Sequence, residues 1–99
     1  MYKEGRKQFT GNLAAFFRER SDQSGPRIGL AVGKVLGGAV QRNRIRRRMR
    51  AAVGRRLNDL ARPVDVVLHP RKPVLDMDFS LLDQELKQLF AAIQRGRAR

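Results

Sequence analysis

The sequence predicts an α+β fold, a two-layer sandwich in which two helices cover one face of a four-stranded sheet. Three observations predict it. Short apolar runs bounded by Gly, Ser and Pro dominate the first third of the chain and return after Pro63, as strands do. Twice the apolar spacing changes to a helical period, from about Ala39 to Leu60 and again from about Ser80 to Ile93. Both helical stripes are apolar on one side only, so each needs a sheet to cover, and the opposite sheet face is left at least partly free. At 99 residues the chain can hold one modest core, and we read residues 1–99 as a single domain.

The elements follow in order. RKQFTG (Arg6–Gly11) suits a short edge strand. NLAAFFRER (Asn12–Arg20) could be a strand or a short helix, and the Gly, Ser and Pro residues around it favour a strand in a hairpin. SDQSGP (Ser21–Pro26) is a turn cluster. RIGLAVGKV (Arg27–Val35) reads as a third strand, with Ile28, Leu30 and Val32 on one face and the small Gly29, Ala31 and Gly33 on the other. Gly37-Gly38 ends it. Ile45, Met49, Ala52, Val53, Leu57 and Leu60 then recur at helical spacing, with arginines around the rest of the cylinder. Val64, Val66, Val67 and Leu68 suit a central strand closed by Pro70 and Pro73. Leu82, Leu86, Leu89, Phe90 and Ile93 mark a last amphipathic helix, with Asp78 or Ser80 as its N-cap and Asp83 in its first turn. The tail from Gln94 to Arg99 is expected to fray.

Charge bounds the function. Lys and Arg number 22 against 9 Asp and Glu, a net charge of +13. Such self-repulsion weakens a compact state, and a polyanionic partner relieves it. Arginine supplies 17 of the 22, and its planar fork bonds phosphate bidentately where lysine acts as a point charge. A solvated helix commonly alternates charge signs for i,i+4 pairing; here no acid occurs between Arg42 and Asn58. Arginines in the first helical turns also oppose the helix dipole, which bound phosphates would offset. Gly37 and Gly38 would let a phosphate approach the backbone. The middle of the chain therefore reads as a surface for nucleic acid.

Other chemistry is thinly represented. There is no cysteine, which excludes disulfides and thiolate metal sites and fits a reducing compartment. No apolar run approaches the roughly 18 residues of a membrane span, and MYKEGRKQF has no apolar signal core. A soluble cytoplasmic protein is expected. GLAVGKVLGG lacks the spacing and the Ser/Thr of a nucleotide-binding P-loop. The single His69 reads as structural, and Asp76 and Asp78 as turn and cap, so no catalytic or metal residue is named. Phe79 and Phe90 belong to the last helix and its core. Phe16 and Phe17 are adjacent, so on a strand one faces the helices and the other the free face, where it could stack on an unpaired base or simply pack at the rim.

RIGLAVGKVLGGAVQRNRIRRRMR (Arg27–Arg50) resembles the signature of the bacterial ribonuclease P protein subunit, with Arg42, Asn43 and Arg44 as its arginine-asparagine-arginine (RNR) motif. The resemblance continues through DVVLHPRKP (Asp65–Pro73) to the closing helix near Ile93. It implies a four-stranded sheet with a left-handed β-α-β crossover, and a first helix largely missing here, since only MYKEG can stand for its end. It implies tRNA 5′-end maturation, in which the RNA subunit carries the chemistry. The protein binds that RNA and the 5′ leader of precursor tRNA, and Mg2+ serves the ribonucleoprotein, held mainly by RNA. No membrane and no obligate protein partner is implied. Carried over by motif, Arg42, Asn43, Arg44, Arg46, Arg47 and Arg50 would contact RNA, with Lys34 at the end of the preceding strand. Tyr2 and Phe16 fall where the family carries aromatics of the leader cleft. Gly33, Val35 and Gly38 stand where the family usually has serine, lysine and asparagine. Two other readings stay open on composition: a non-catalytic structural RNA-binding protein, such as a ribosomal protein or RNA chaperone, and a DNA-binding basic helix, which would need a dimerisation seam.

Overall fold

The structure, a computed structural model, describes residues 5–22 and 24–95. Tyr2, most of MYKEG and the last four residues of the expected tail lie outside the described residues. Four strands form one mixed sheet: β1 (Arg6–Phe9), β2 (Leu13–Glu19), β3 (Arg27–Leu30) and β4 (Val64–Pro70), in the order β1-β2-β4-β3. The first three neighbours run antiparallel, whereas β3 and β4 are parallel. Helix α1 (Ala39–Arg56) is thus the crossover of a β-α-β unit, and α2 (Phe79–Arg95) closes the chain. Gln94 and Arg95, expected in a frayed tail, belong to α2.

The alternation in β2 is what separates the two faces. Leu13, Ala15 and Phe17 are buried with Val64, Val66 and Leu68 of β4, and Ile45, Met49 and Ala52 of α1 close over them with Leu82, Leu86, Leu89, Phe90 and Ile93 of α2. The pairing of Phe16 with Lys7 and Val67, and of Ala14 with Phe9 and His69, puts those residues together on the other face. Phe17 is therefore the core phenylalanine and Phe16 the one on the open side.

Two boundaries differ from the sequence expectation by several residues. β3 stops at Leu30, not Val35. Ala31 N–H still donates to Leu68 O (2.9 Å), but in this register the next donor on β4 would be the nitrogen of Pro70, which has no hydrogen. The ladder ends there and Lys34 opens a 3-10 turn (Lys34–Leu36) instead of finishing a strand. α1 ends at Arg56, not Leu60, and tightens into a 3-10 turn over Leu57–Asp59, where Asn58 and Asp59 are poor helix formers. At α2 the cap is Asp78, whose Oδ1 accepts the Ser80 N–H (3.1 Å). Asp83 lies beyond the first turn, buried at 7 % exposure, and its role is to hold α1.

Side-chain ties fix the hairpin and loops to this frame. Glu85 of α2 accepts the backbone N–H of Asn12 (2.5 Å), the Asn12 side-chain amide (3.0 Å) and the Thr10 hydroxyl. Burial works against its charge, but these hydrogen bonds outweigh it and hold the carboxyl below its ordinary value of 4.5. Arg20 donates to Asp65 (2.9 Å), Asp22 (3.1 Å) and Gly25 O (2.7 Å), tying the loop after β2 to β4. Asp22 falls to about 2, first through its bond from Arg20 and then through Ser24.

A depressed carboxylate contributes stability that is present above its unfolded value and lost as pH falls through the folded one. Glu85→Gln should therefore cost about 1–3 kcal/mol near neutrality. It should also flatten the loss of stability as pH falls below the carboxyl's ordinary value of 4.5, read by urea denaturation at each pH.

Candidate nucleic-acid interface

α1 carries eight arginines and no acid. Its entry is shaped by two glycines. Gly37 has φ +120°, a conformation that side chains disfavour, and a Cβ there would sit 3.0 Å from Gln41 Cβ. Gly38 is the N-cap, and Gln41 Oε1 accepts its N–H (3.0 Å). Gly37 is thus required by the turn, whereas Gly38 is extended at φ −79° and serves as the N-cap.

The arginines divide by angle around the helix, at about 100° per residue. With Ile45, Met49 and Ala52 facing the core, one flank points to α2 and to the segment before it. There Arg48 donates to Val74 O (2.9 Å) and to Met77 O, and Arg44 Nε donates to Leu75 O (3.1 Å). Arg56 grips Asp83 through Nε (3.0 Å) and Nη2 (2.7 Å), and Arg55 reaches the same carboxylate at 3.3 Å. Arg56, first among these contacts, holds the Asp83 carboxyl well below the usual range. Arg48, Arg55 and Arg56 therefore join elements of this chain.

The remaining positions face outward. Arg42 Nε donates to Gly37 O (3.2 Å), and Arg46 Nη1 to Asn43 Oδ1 (2.8 Å). The side chains of Arg47, Arg50 and Lys34 make no hydrogen bond or ion pair with the described residues. A single Nε anchor, as in Arg42 and Arg44, leaves the Nη groups of the fork without a partner among the described residues, able to meet one phosphate. Asn43 does not face the core; it braces Arg46.

The open face of the sheet is a second surface. Phe9 (55 % exposed), Phe16 (38 %) and Val67 (41 %) lie on it. Lys7 Nζ stands 5.1 Å from the Phe16 ring centroid, and the His69 ring lies 5.0 Å from Phe16 at 49°. His69 Nε2 is buried without a hydrogen-bond partner. Sequence reasoning found Phe16 but assigned His69 a purely structural place and did not single out Lys7, Phe9 or Val67 as surface residues. The strand register unites them, and a lone β1 of four residues carries too little pattern to reveal it. Tyr2, named with Phe16, lies outside the described residues. Among the described residues no three His, Asp or Glu side chains converge as metal ligands.

A family model described as Ribonuclease P matches residues 1–94. The chain belongs to the ribonuclease P protein family. The ribonuclease P protein component of Oceanobacillus iheyensis is 35 % identical over 88 residues, 89 % of this chain and 73 % of that one. That of an Exiguobacterium strain is 36 % identical, with coverage of 91 % and 90 %. Among solved structures, the RNase P protein of Thermotoga maritima superposes with a TM-score of 0.80 at 26 % identity, covering 95 % of this chain and 86 % of that one. The Staphylococcus aureus RNase P protein gives 0.77 at 26 %, covering 94 % and 84 %. Family membership places the chain among the protein components of a ribonucleoprotein endoribonuclease that processes tRNA. In the structure Arg42 and Arg44 leave the helix on opposite sides, and Asn43 sits between them on the outer surface.

Two arginines one residue apart should behave oppositely. Arg48→Ala leaves buried carbonyls without their donor and should cost about 1–3 kcal/mol of stability. Arg47→Ala should stay within about 0.5 kcal/mol, both read by urea denaturation.

Proposed function

We propose that this chain binds the catalytic RNA of ribonuclease P through Lys34, Arg42, Asn43, Arg44, Arg46, Arg47 and Arg50, and holds the 5′ leader of precursor tRNA on the open face of the sheet. The observation that carries the reading is the outward flank of α1. It presents basic side chains of one sign, and Arg47 and Arg50 have no partner among the described residues. A +13 chain gains most from such a flank when a phosphate backbone neutralises it. The open face supports the leader half: Phe16 offers a ring for an unpaired base, Lys7 a cation beside it, and Phe9 further apolar area.

The donor set does not favour a metal site built by the protein. No convergent carboxylate cluster exists among the described residues; the reading assigns the Mg2+ of the ribonucleoprotein to the RNA and names no catalytic residue. No helix among the described residues is long and apolar enough to cross a membrane; a cytoplasmic location, where tRNA precursors are processed, fits the reading.

The test is single-turnover cleavage of a precursor tRNA by a bacterial ribonuclease P RNA at low Mg2+, with and without the protein. Stimulation is expected, together with a log K against log salt slope of roughly −4 to −7 for six to eight phosphates. Arg47→Ala with Arg50→Ala should flatten that slope by roughly 1.4–1.8 and weaken binding. An unchanged slope and affinity would overturn the α1 assignment. Phe16→Ala should reduce the preference for leader-bearing over mature tRNA by about 1–3 kcal/mol while the affinity for the catalytic RNA holds; equal loss for both substrates would remove Phe16 from the leader site.

A further inference from the structure

The flank of α1 that bears Arg46 and Arg50 does not lie on open solvent alone. Between it and β3 runs a groove of about 360 Å³, lined by Ile28, Leu30, Arg46, Arg50, Val53 and Gly54. The floor is apolar: Ile28, Leu30 and Val53 pack on the core from its margin and are only partly buried. The rim is cationic, with Arg50 unbonded among the described residues and Arg46 held only by Asn43 (2.8 Å). Gly54 keeps the helix side of the groove open, since a Cβ there would meet nothing within 4 Å.

β3 is the sheet edge, which adds a third kind of group. In a parallel pair alternate residues turn both N–H and C=O to the neighbouring strand. Ala31 N–H bonds Leu68 O, so Gly29 and Ala31 face β4, and Ile28 and Leu30 turn their backbone donors and acceptors outward. Neither residue makes a backbone hydrogen bond outside the ladder among the described residues. The groove thus joins an apolar floor, free peptide groups and two guanidinium groups one helical turn apart, about 6 Å along α1.

We propose that this groove takes one unpaired nucleotide of the partner RNA. The base lies on Ile28, Leu30 and Val53, the outward peptide groups of β3 bond its edge, and Arg46 and Arg50 hold the flanking phosphates. The inference rests on the RNA-binding reading and narrows it from a charged flank to a pocket for a single splayed base, the form in which RNA sequence is usually read. The volume lies at the small end of the range for ligand pockets, about 300–1,000 Å³, which suits one nucleotide and not a duplex. An acidic peptide added as a strand would draw its affinity from a main-chain ladder. Here only Ile28 and Leu30 would supply one.

Gly54→Leu fills the groove without removing a charge, and it replaces glycine by a better helix former. Binding to a bacterial ribonuclease P RNA transcript, with base reactivity read at each nucleotide, should show affinity about tenfold weaker, an unchanged salt slope, and one nucleotide newly reactive. Affinity within twofold of wild type and an unaltered reactivity pattern would overturn the groove and leave β3 to a peptide. A second measurement uses the unaltered chain: RNA substituted with 4-thiouridine should crosslink to Ile28, Leu30 or Val53. Crosslinks found only elsewhere would also overturn the groove. Failure of the wild-type chain to bind the RNA would instead overturn the parent reading.

Discussion

Repulsion among the arginines of α1 is the constraint around which the molecule is arranged. Eight guanidinium groups on one helix with no acid among them would fray it in isolation. The fold resolves part of this internally. Arg56 and Arg55 share the Asp83 carboxylate of α2, and Arg48 is spread over backbone carbonyls of the segment that leads into α2. These contacts do more than neutralise charge. They lock the second helix to the first and so fix the roof over the sheet. The charge that remains is concentrated on the other flank, where no carboxylate among the described residues competes with a phosphate. The same residue type thus serves as internal clamp and as polyanion surface, and only its angle about the helix distinguishes the two.

The sheet shows a comparable economy. One face is closed by aliphatic side chains from β2, β4 and both helices; the other carries Phe16, Phe9, Val67 and His69. Phe16 and Phe17 are chemically identical neighbours whose fates are set by strand alternation. Pro70 acts at a distance: lacking an N–H, it ends the β3 ladder, frees the chain to turn at Lys34, and leaves β3 short. A strand running to Val35 would carry Lys34 in the sheet rather than on the turn that feeds α1.

Carboxylates are scarce, and the structure spends them internally. Asp83, Glu85, Asp65, Asp22 and Glu19 each hold a cation or a backbone donor of this chain. Acid pH therefore acts on the frame before it acts on the arginine surface, because Asp22, Asp83 and Glu85, held below their ordinary values, lose their charge while the arginines keep theirs. The outward flank of α1 owes its uniform sign to this placement as much as to the number of arginines.

The sequence alone determined the element order, the apolar faces of both helices, the central position of β4 and the basic character of α1. Those are carried by local periodicity and composition, and the RNR motif with its glycine turn carried the family. Strand alternation limited the core phenylalanine of β2 to Phe16 or Phe17, and the family resemblance put Phe16 on the cleft side. Tertiary structure supplied its surroundings. It assigned Arg48, Arg55 and Arg56 to internal contacts and left the side chains of Arg47 and Arg50 without a polar partner among the described residues, a division invisible in RIRRRMRAAVGRR because the partners lie some 25 to 30 residues away. It gathered Lys7, Phe9 and His69 beside Phe16 through strand register, and it set Ile28 and Leu30 against Val53 across the edge of the sheet. Periodicity reports which side of an element is apolar; what that element meets depends on long-range pairing, and on a missing hydrogen at Pro70 that matters only once β3 lies alongside.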